Sequence, residues 1–194
     1  MSEKIKGLIS SSINTKKQIL ENADLIGAIE EAVELIVNAY KNGNKVLFCG
    51  NGGSAADAQH LAAELSGRFY YDRPPLNAEA WHVNSSYLTA VANDYGYEFV
   101  YSRLLEGCGA KGDILIALST SGNSSNILKA IETAENLGVY TIGLTGQSGG
   151  KMNAMCNLLI NVPSKETPRI QESHILIGHI ICQLVEETMF PKKN

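Results

Sequence analysis

Two imidazoles, a carboxylate and an amide stand at spacings that could serve a metal ion. His60 and Glu64 are four residues apart in a helical stretch, so their side chains leave the same face on adjacent turns. One imidazole and one carboxylate so placed can bind a divalent cation such as zinc, and the same spacing also serves an ordinary solvated helix contact. Near the C-terminus, Gln171, His174 and His179 interrupt the otherwise apolar sequence from Ile170 to Val185. A buried helix face normally excludes imidazole, and a single exception is usually a satisfied core histidine; two of them with Gln171 ask for more. In a straight helix Gln171 and His179 are about 12 Å apart at 1.5 Å per residue, the limit for two side chains meeting at one ion. Either they stretch toward each other or residues of different subunits complete the site, and we favour an oligomer with sites at its interfaces.

Two loops carry a different chemistry. Ser119-Thr120-Ser121-Gly122-Asn123-Ser124 follows an apolar run and precedes a helical one. It offers hydroxyls from Ser119, Thr120, Ser121 and Ser124 where a helix N-terminus presents unpaired N–H groups and the positive end of its dipole. A phosphate dianion suits that place, although Ser124 could equally be a plain N-cap. No GxxxxGK[ST] or GxGxxG occurs, so the ligand indicated is a small phosphate ester rather than a nucleotide. Gly50-Asn51-Gly52-Gly53-Ser54 permits close backbone approach, but glycine there also serves a tight turn.

The elements that must position these residues alternate. Apolar residues recur at helical spacing in Ile5, Leu8, Ile9, Ile13 and in Ile26, Ile29, Val33, Ile36, predicting two helices within residues 1–43 with a break near Asn22 to Asp24. Strands are predicted at Lys45–Cys49, Asp113–Leu118, Val139–Leu144 and Leu158–Val162, with an edge strand at Ala78–Val83. Helices follow to about Gly67 and Leu137, and a last one runs from about Ile170 to Thr188, after Pro168, within residues 168–190. Continuous apolar strands alternating with helices indicate one α/β domain over 1–194, its core at 44–163 a parallel sheet buried on both faces. Ligands of such sheets sit beyond the carboxyl ends of the strands, where both loops fall.

Composition narrows the class. With 44% hydrophobic residues and a net charge of -4, the 194-residue chain can build one core and has no broad basic surface for nucleic acid or an anionic membrane. The four cysteines are far apart without zinc or disulfide spacing, and neither a targeting segment nor a membrane span is read, so the expected place is the cytoplasm. Trp81 and the Tyr70-Tyr71 pair read as packing, Arg68 as either a substrate contact or an ion pair; His82 and Asp57 have no assignable partner.

Cys49 to Ser54, the His60–Glu64 pair, Glu64-Leu65-Ser66-Gly67-Arg68, Asn93-Asp94, Ser119 to Ser124, Leu144-Thr145-Gly146 and Arg169-Ile170-Gln171-Glu172 with the later His179 together resemble the sugar isomerase (SIS) domain proteins, and among them the phosphoheptose isomerases. That resemblance covers essentially the whole chain. It implies a three-layer α/β/α domain with a flavodoxin-like sheet, a homotetramer, and one zinc per site held by His60, Glu64, Gln171 and His179. It implies substrate contacts from Asn51, Gly52, Gly53, Glu64, Asn93, Asp94, Ser119, Thr120, Ser121, Ser124 and Gln171. The implied reaction turns D-sedoheptulose 7-phosphate into D-glycero-D-manno-heptose 7-phosphate, the first step of bacterial heptose synthesis for lipopolysaccharide. Such chemistry needs a base, enediolate stabilisation and an acid, for which Glu64 and His179 are the candidates. The chain departs from some relatives in having Pro168 where they carry an acidic residue before Arg-Ile-Gln, leaving Glu166 as the nearest carboxylate. Its ends also resemble a non-catalytic SIS protein that binds the replication initiator DnaA, but those relatives lack counterparts of Glu64 and His179. An SIS-type sugar-phosphate regulator would add a DNA-binding segment, and no basic helix-turn-helix is visible.

Overall fold

The computed structural model describes residues 1–192. Helices α1 (Ser2–Glu21) and α2 (Ala23–Lys41) are separated by Asn22 alone, whose side chain accepts from Leu25 N at 3.0 Å and so starts the second helix as it ends the first. Strand β1 (Val46–Gly50) then leads into α3 (Gly53–Ser66), and a short β2 (Ala78–Ala80) precedes α4 (Ser85–Asp94), a 3-10 turn at Tyr97–Phe99 and α5 (Ser102–Cys108). After these come β3 (Ile114–Leu118), α6 (Ser125–Leu137), β4 (Tyr140–Thr145), β5 (Leu158–Asn161) and the long α7 (Thr167–Met189).

All strand pairings are parallel and the order is β2-β1-β3-β4-β5, the flavodoxin-like arrangement. Every residue of β1 and β3 is buried, because helices cover both faces of the sheet. Val46, Phe48, Ile114, Ile116 and Leu118 pack with α2, α3 and α7 on one face. Leu47, Cys49, Leu115 and Ala117 pack with α5, α6, Val91 and Trp81 on the other. The period-2 alternation of strand side chains thus divides the core into two layers.

Helix α1 lies outside this sandwich against α7. Ser12 donates to Glu172 at 2.7 Å and Arg169 donates to the Leu8 carbonyl at 2.7 Å, while Ile5, Leu8, Ile9 and Ile13 remain about half exposed. The amphipathic pattern is therefore present, with its apolar stripe uncovered in the single chain.

At the amino edge of the sheet, Asp113 is buried and receives Lys45 Nζ at 2.6 Å, Lys45 N at 3.1 Å and Ala110 N at 2.9 Å. Burial pushes its pKa up, and these hydrogen bonds outweigh burial to hold the carboxyl below its ordinary value. Asp113→Ala is expected to cost about 3 kcal/mol by stranding these donors, lowering the calorimetric melting temperature by about 6–12 °C. The substrate KM should not change, because Asp113 lies at the end of the sheet opposite the loops.

Three expectations are corrected. The edge strand covers Ala78–Ala80 rather than reaching Val83, since β1 offers it pairing only at Val46–Phe48. Helix α7 starts at Thr167 with Pro168 in its first turn, where a missing N–H is an orphan in any case. Helices α4 and α5 were not anticipated; each is short and buries one or two residues of its own.

Candidate active site

The site begins with how closely α3 and α7 approach. Gly178 is buried, and a Cβ placed on it would lie 2.6 Å from Leu61 Cδ2, so any larger residue there would have to push Leu61 aside. The neighbouring residues on each helix are His60 and His179. Their Nε2 atoms are 2.9 Å apart, and Glu64 Oε1 is 3.1 Å from His60 Nε2. One ligand atom from each of the three falls within 4.8 Å of the others. Ligands about 2.0–2.1 Å from a tetrahedral zinc stand about 3.3 Å from one another, so these side chains fit a metal with small outward movements. Among the described residues, two imidazoles and a carboxylate thus converge on one face of the α3–α7 pair.

Two turns before His179, Gln171 lays its amide against Gly53, where a methyl group would meet Nε2 at 2.6 Å. Gln171 thereby lines the Gly52–Ser54 loop at the N-terminus of α3. Asn51, on the same loop, forms a reciprocal amide pair with Asn126 of α6: each Nδ2 donates to the other Oδ1 at 2.8 Å. Tyr97 reaches Asn51 Oδ1 at 3.4 Å, linking the loop to the segment that follows Asn93 and Asp94 at the exposed end of α4. Asn126 was missed in the sequence, although an amide one residue inside a helix that follows a hydroxyl-rich loop was the available signal.

The Ser119–Ser124 loop connects β3 to α6 at the carboxyl edge of the sheet. Ser124 is the N-cap residue of α6, yet its side chain makes no cap bond; its Oγ lies 3.0 Å from Ser119 Oγ. The simple capping explanation is therefore corrected: Ser124 leaves the first turn uncapped, and the side chain that takes up a first-turn N–H is Asn126, whose Oδ1 accepts from Ile127 N at 3.0 Å. Ser121 is exposed and Thr120 half-buried, with Ser121 Oγ accepting from Asn123 N at 3.2 Å. Gly122 takes a left-handed φ of 65°, and its neighbour in space is the Gly149 backbone, which a Cβ would meet at 2.6 Å from the carbonyl carbon.

His174 turns out to be the core histidine of the set. It is fully buried, its Nε2 is 3.1 Å from the Thr145 carbonyl, and its Nδ1 has no partner. Burial pulls its pKa down to about 4, with the Thr145 bond opposing weakly. Because the folded value lies below the ordinary 6.5, this contribution to stability is complete above about pH 6.5 and is lost as pH falls toward 4. About 3 kcal/mol is at stake. Comparing melting temperatures of the protein and its His174→Asn variant between pH 7 and 4 should show a shallower decline in the variant. Asp57, one turn before His60, keeps a buried Oδ2 without a partner; burial raises its pKa, opposed by His60 and His179. Trp81 is core, as the packing reading expects, whereas Tyr70 is 64% exposed and that reading is corrected there; Arg68 is exposed.

A family model described as the SIS domain matches residues 10–146. The phosphoheptose isomerase of Aneurinibacillus thermoaerophilus is 55% identical over 193 residues, spanning 100% of this chain and 98% of that protein. The chain belongs to the SIS-domain phosphoheptose isomerase family. Phosphoheptose isomerase 2 of Campylobacter jejuni shares 55% identity over 188 residues, 97% of this chain and 94% of its own length. The solved structure of phosphoheptose isomerase GmhA from Neisseria gonorrhoeae superposes with a TM-score of 0.90 at 40% identity, over 96% of this chain and 98% of that one. Membership makes this SIS-domain chain an enzyme of the phosphosugar isomerase class. No helix among the described residues is long and apolar enough to cross a membrane.

Proposed function

We propose that this phosphoheptose isomerase family member converts D-sedoheptulose 7-phosphate to D-glycero-D-manno-heptose 7-phosphate in the cytoplasm, as the first step of bacterial heptose synthesis for lipopolysaccharide. The observation that carries the reading is the meeting of His60, Glu64 and His179 between α3 and α7, in a chain 55% identical to phosphoheptose isomerases. Ser119, Thr120, Ser121 and Ser124 anchor the phosphate and so set the reach from that end to the reacting carbons. Asn51, Gly52, Gly53, Asn93, Asp94 and Gln171 contact the sugar chain. Glu64 and His179 divide the proton transfers: one takes a proton from C1 of the ketose, giving the enediolate, and the other delivers a proton to C2. The hydroxyl proton of O1 leaves and O2 gains one, so the carbonyl ends on C1. Zinc held by His60, Glu64, Gln171 and His179 would supply charge stabilisation at the substrate oxygens.

The half-exposed Ile5, Leu8, Ile9 and Ile13 stripe supports burial against further copies, consistent with a homotetramer whose sites lie between subunits. The test is turnover of D-sedoheptulose 7-phosphate by protein stripped with a chelator and then reloaded. Activity should disappear on stripping and return with zinc. A folded, zinc-loaded protein that converts no ketose phosphate would overturn the reading.

A further inference from the structure

About 10 Å along α7 beyond His179, seven residues at the standard rise of about 1.5 Å, lies a buried ion pair that the reaction does not use. Arg73 and Glu186 are 2% and 0% exposed in their side chains, with Arg73 Nε donating to Glu186 Oε1 at 3.0 Å. Two buried charges would normally cost more in lost hydration than their attraction returns, so the remaining hydrogen bonds indicate what the pair is for. The rest of the guanidinium caps the C-terminal end of α3: Nη2 donates to the Glu64 carbonyl at 2.8 Å, and Nη1 to the carbonyls of Leu65 at 2.8 Å and Gly67 at 2.9 Å. The Glu186 carboxylate accepts Phe69 N at 2.9 Å and Tyr70 N at 2.7 Å. Phe69 in turn sets its ring against His179, with centroids 5.7 Å apart.

We propose that Arg73 and Glu186 are positioning residues for the metal-ligating face, fixing the Glu64 backbone through Arg73 and the His179 imidazole through Phe69. The pair ties the last turn of the helix bearing His60 and Glu64 to the helix bearing His179, seven residues past that histidine. Simple structural reinforcement could have used apolar side chains of similar volume. What an ion pair adds is directional bonding to three carbonyls and two N–H groups at once, which fixes rotation and advance of one helix end relative to the other. The inference rests on the metal reading above.

Zinc affinity, measured by competition with a chromophoric chelator, tests it apart from turnover. In the folded Glu186→Gln variant, affinity should fall by about tenfold, the usual consequence of losing an outer partner of a metal site. At saturating zinc its KM for the sugar phosphate should stay unchanged. Arg73→Lys, which keeps the charge and loses the fork, should lie between Arg73→Ala and the parent. Phe69→Leu leaves the ion pair whole and should also weaken zinc; it decides the matter if the charge variants do not fold. Folded variants that bind zinc within about twofold of the parent, where tenfold is expected of a lost outer partner, would overturn the inference while leaving the metal reading standing. A parent protein that binds no divalent ion would overturn both.

Discussion

Glu64→Gln is expected to lower kcat for D-sedoheptulose 7-phosphate by about 10³-fold while leaving the melting temperature within a few degrees. The side chain is 23% exposed and sits beside the His60 and His179 imidazoles, so the amide fits without a clash or a stranded core charge. What it loses is the ability to take a proton, an effect worth about 10²–10⁴ in rate. A carboxylate serving solely as a ligand would behave differently: zinc affinity would drop, and saturating zinc would restore most of kcat. Steady-state kinetics over a zinc titration separates the two. His179→Ala should give a similar loss, and the double variant should be little worse than either single one, because groups acting as one unit are not additive. Near-parental kcat in Glu64→Gln would remove Glu64 from the proton transfers.

Gly122→Ala should do its damage by another route. The residue is buried at φ 65°, a conformation costly to a side chain, and its Cβ would enter the Gly149 backbone. Met152 N donates to the Gly122 carbonyl at 3.2 Å, and Gly122 N to the Ser119 carbonyl at 3.0 Å, so the Ser119–Ser124 loop is held in register by bonds the substitution must break. Strain at a left-handed position plus overpacking against backbone comes to about 3–5 kcal/mol. The expected result is a protein with a melting temperature lower by about 10 °C and a KM for the sugar phosphate raised at least about tenfold, since the hydroxyls no longer converge. Calorimetry and steady-state kinetics read both. A KM equal to the parent's in a folded variant would show that this loop does not hold the phosphate.

The strongly periodic segments were legible. Lys45–Cys49 and Asp113–Leu118 are continuous apolar runs ended by glycine or serine, and the strands fell within a residue of them. Helices α4 and α5 escaped because Leu88, Val91 and Leu105 are too few to set a period; these segments are held mainly by the sheet face they cover. Of the site, the His60–Glu64 pair was visible in its spacing, whereas its meeting with His179 came from the family resemblance and from no spacing in the chain. That meeting depends on Gly178 facing Leu61, a contact between residues far apart in the chain that no local pattern encodes. Arg73 was not singled out in the sequence, and only the fold reveals that it is enclosed.

The amide pair between Asn51 and Asn126 has a consequence for enzymology across acidity. Neither partner can gain or lose a proton in any ordinary buffer, so the joint between the Gly50–Ser54 loop and the start of α6 is indifferent to proton activity. Whatever shape the rate takes against pH, loosening of this joint should contribute nothing to it.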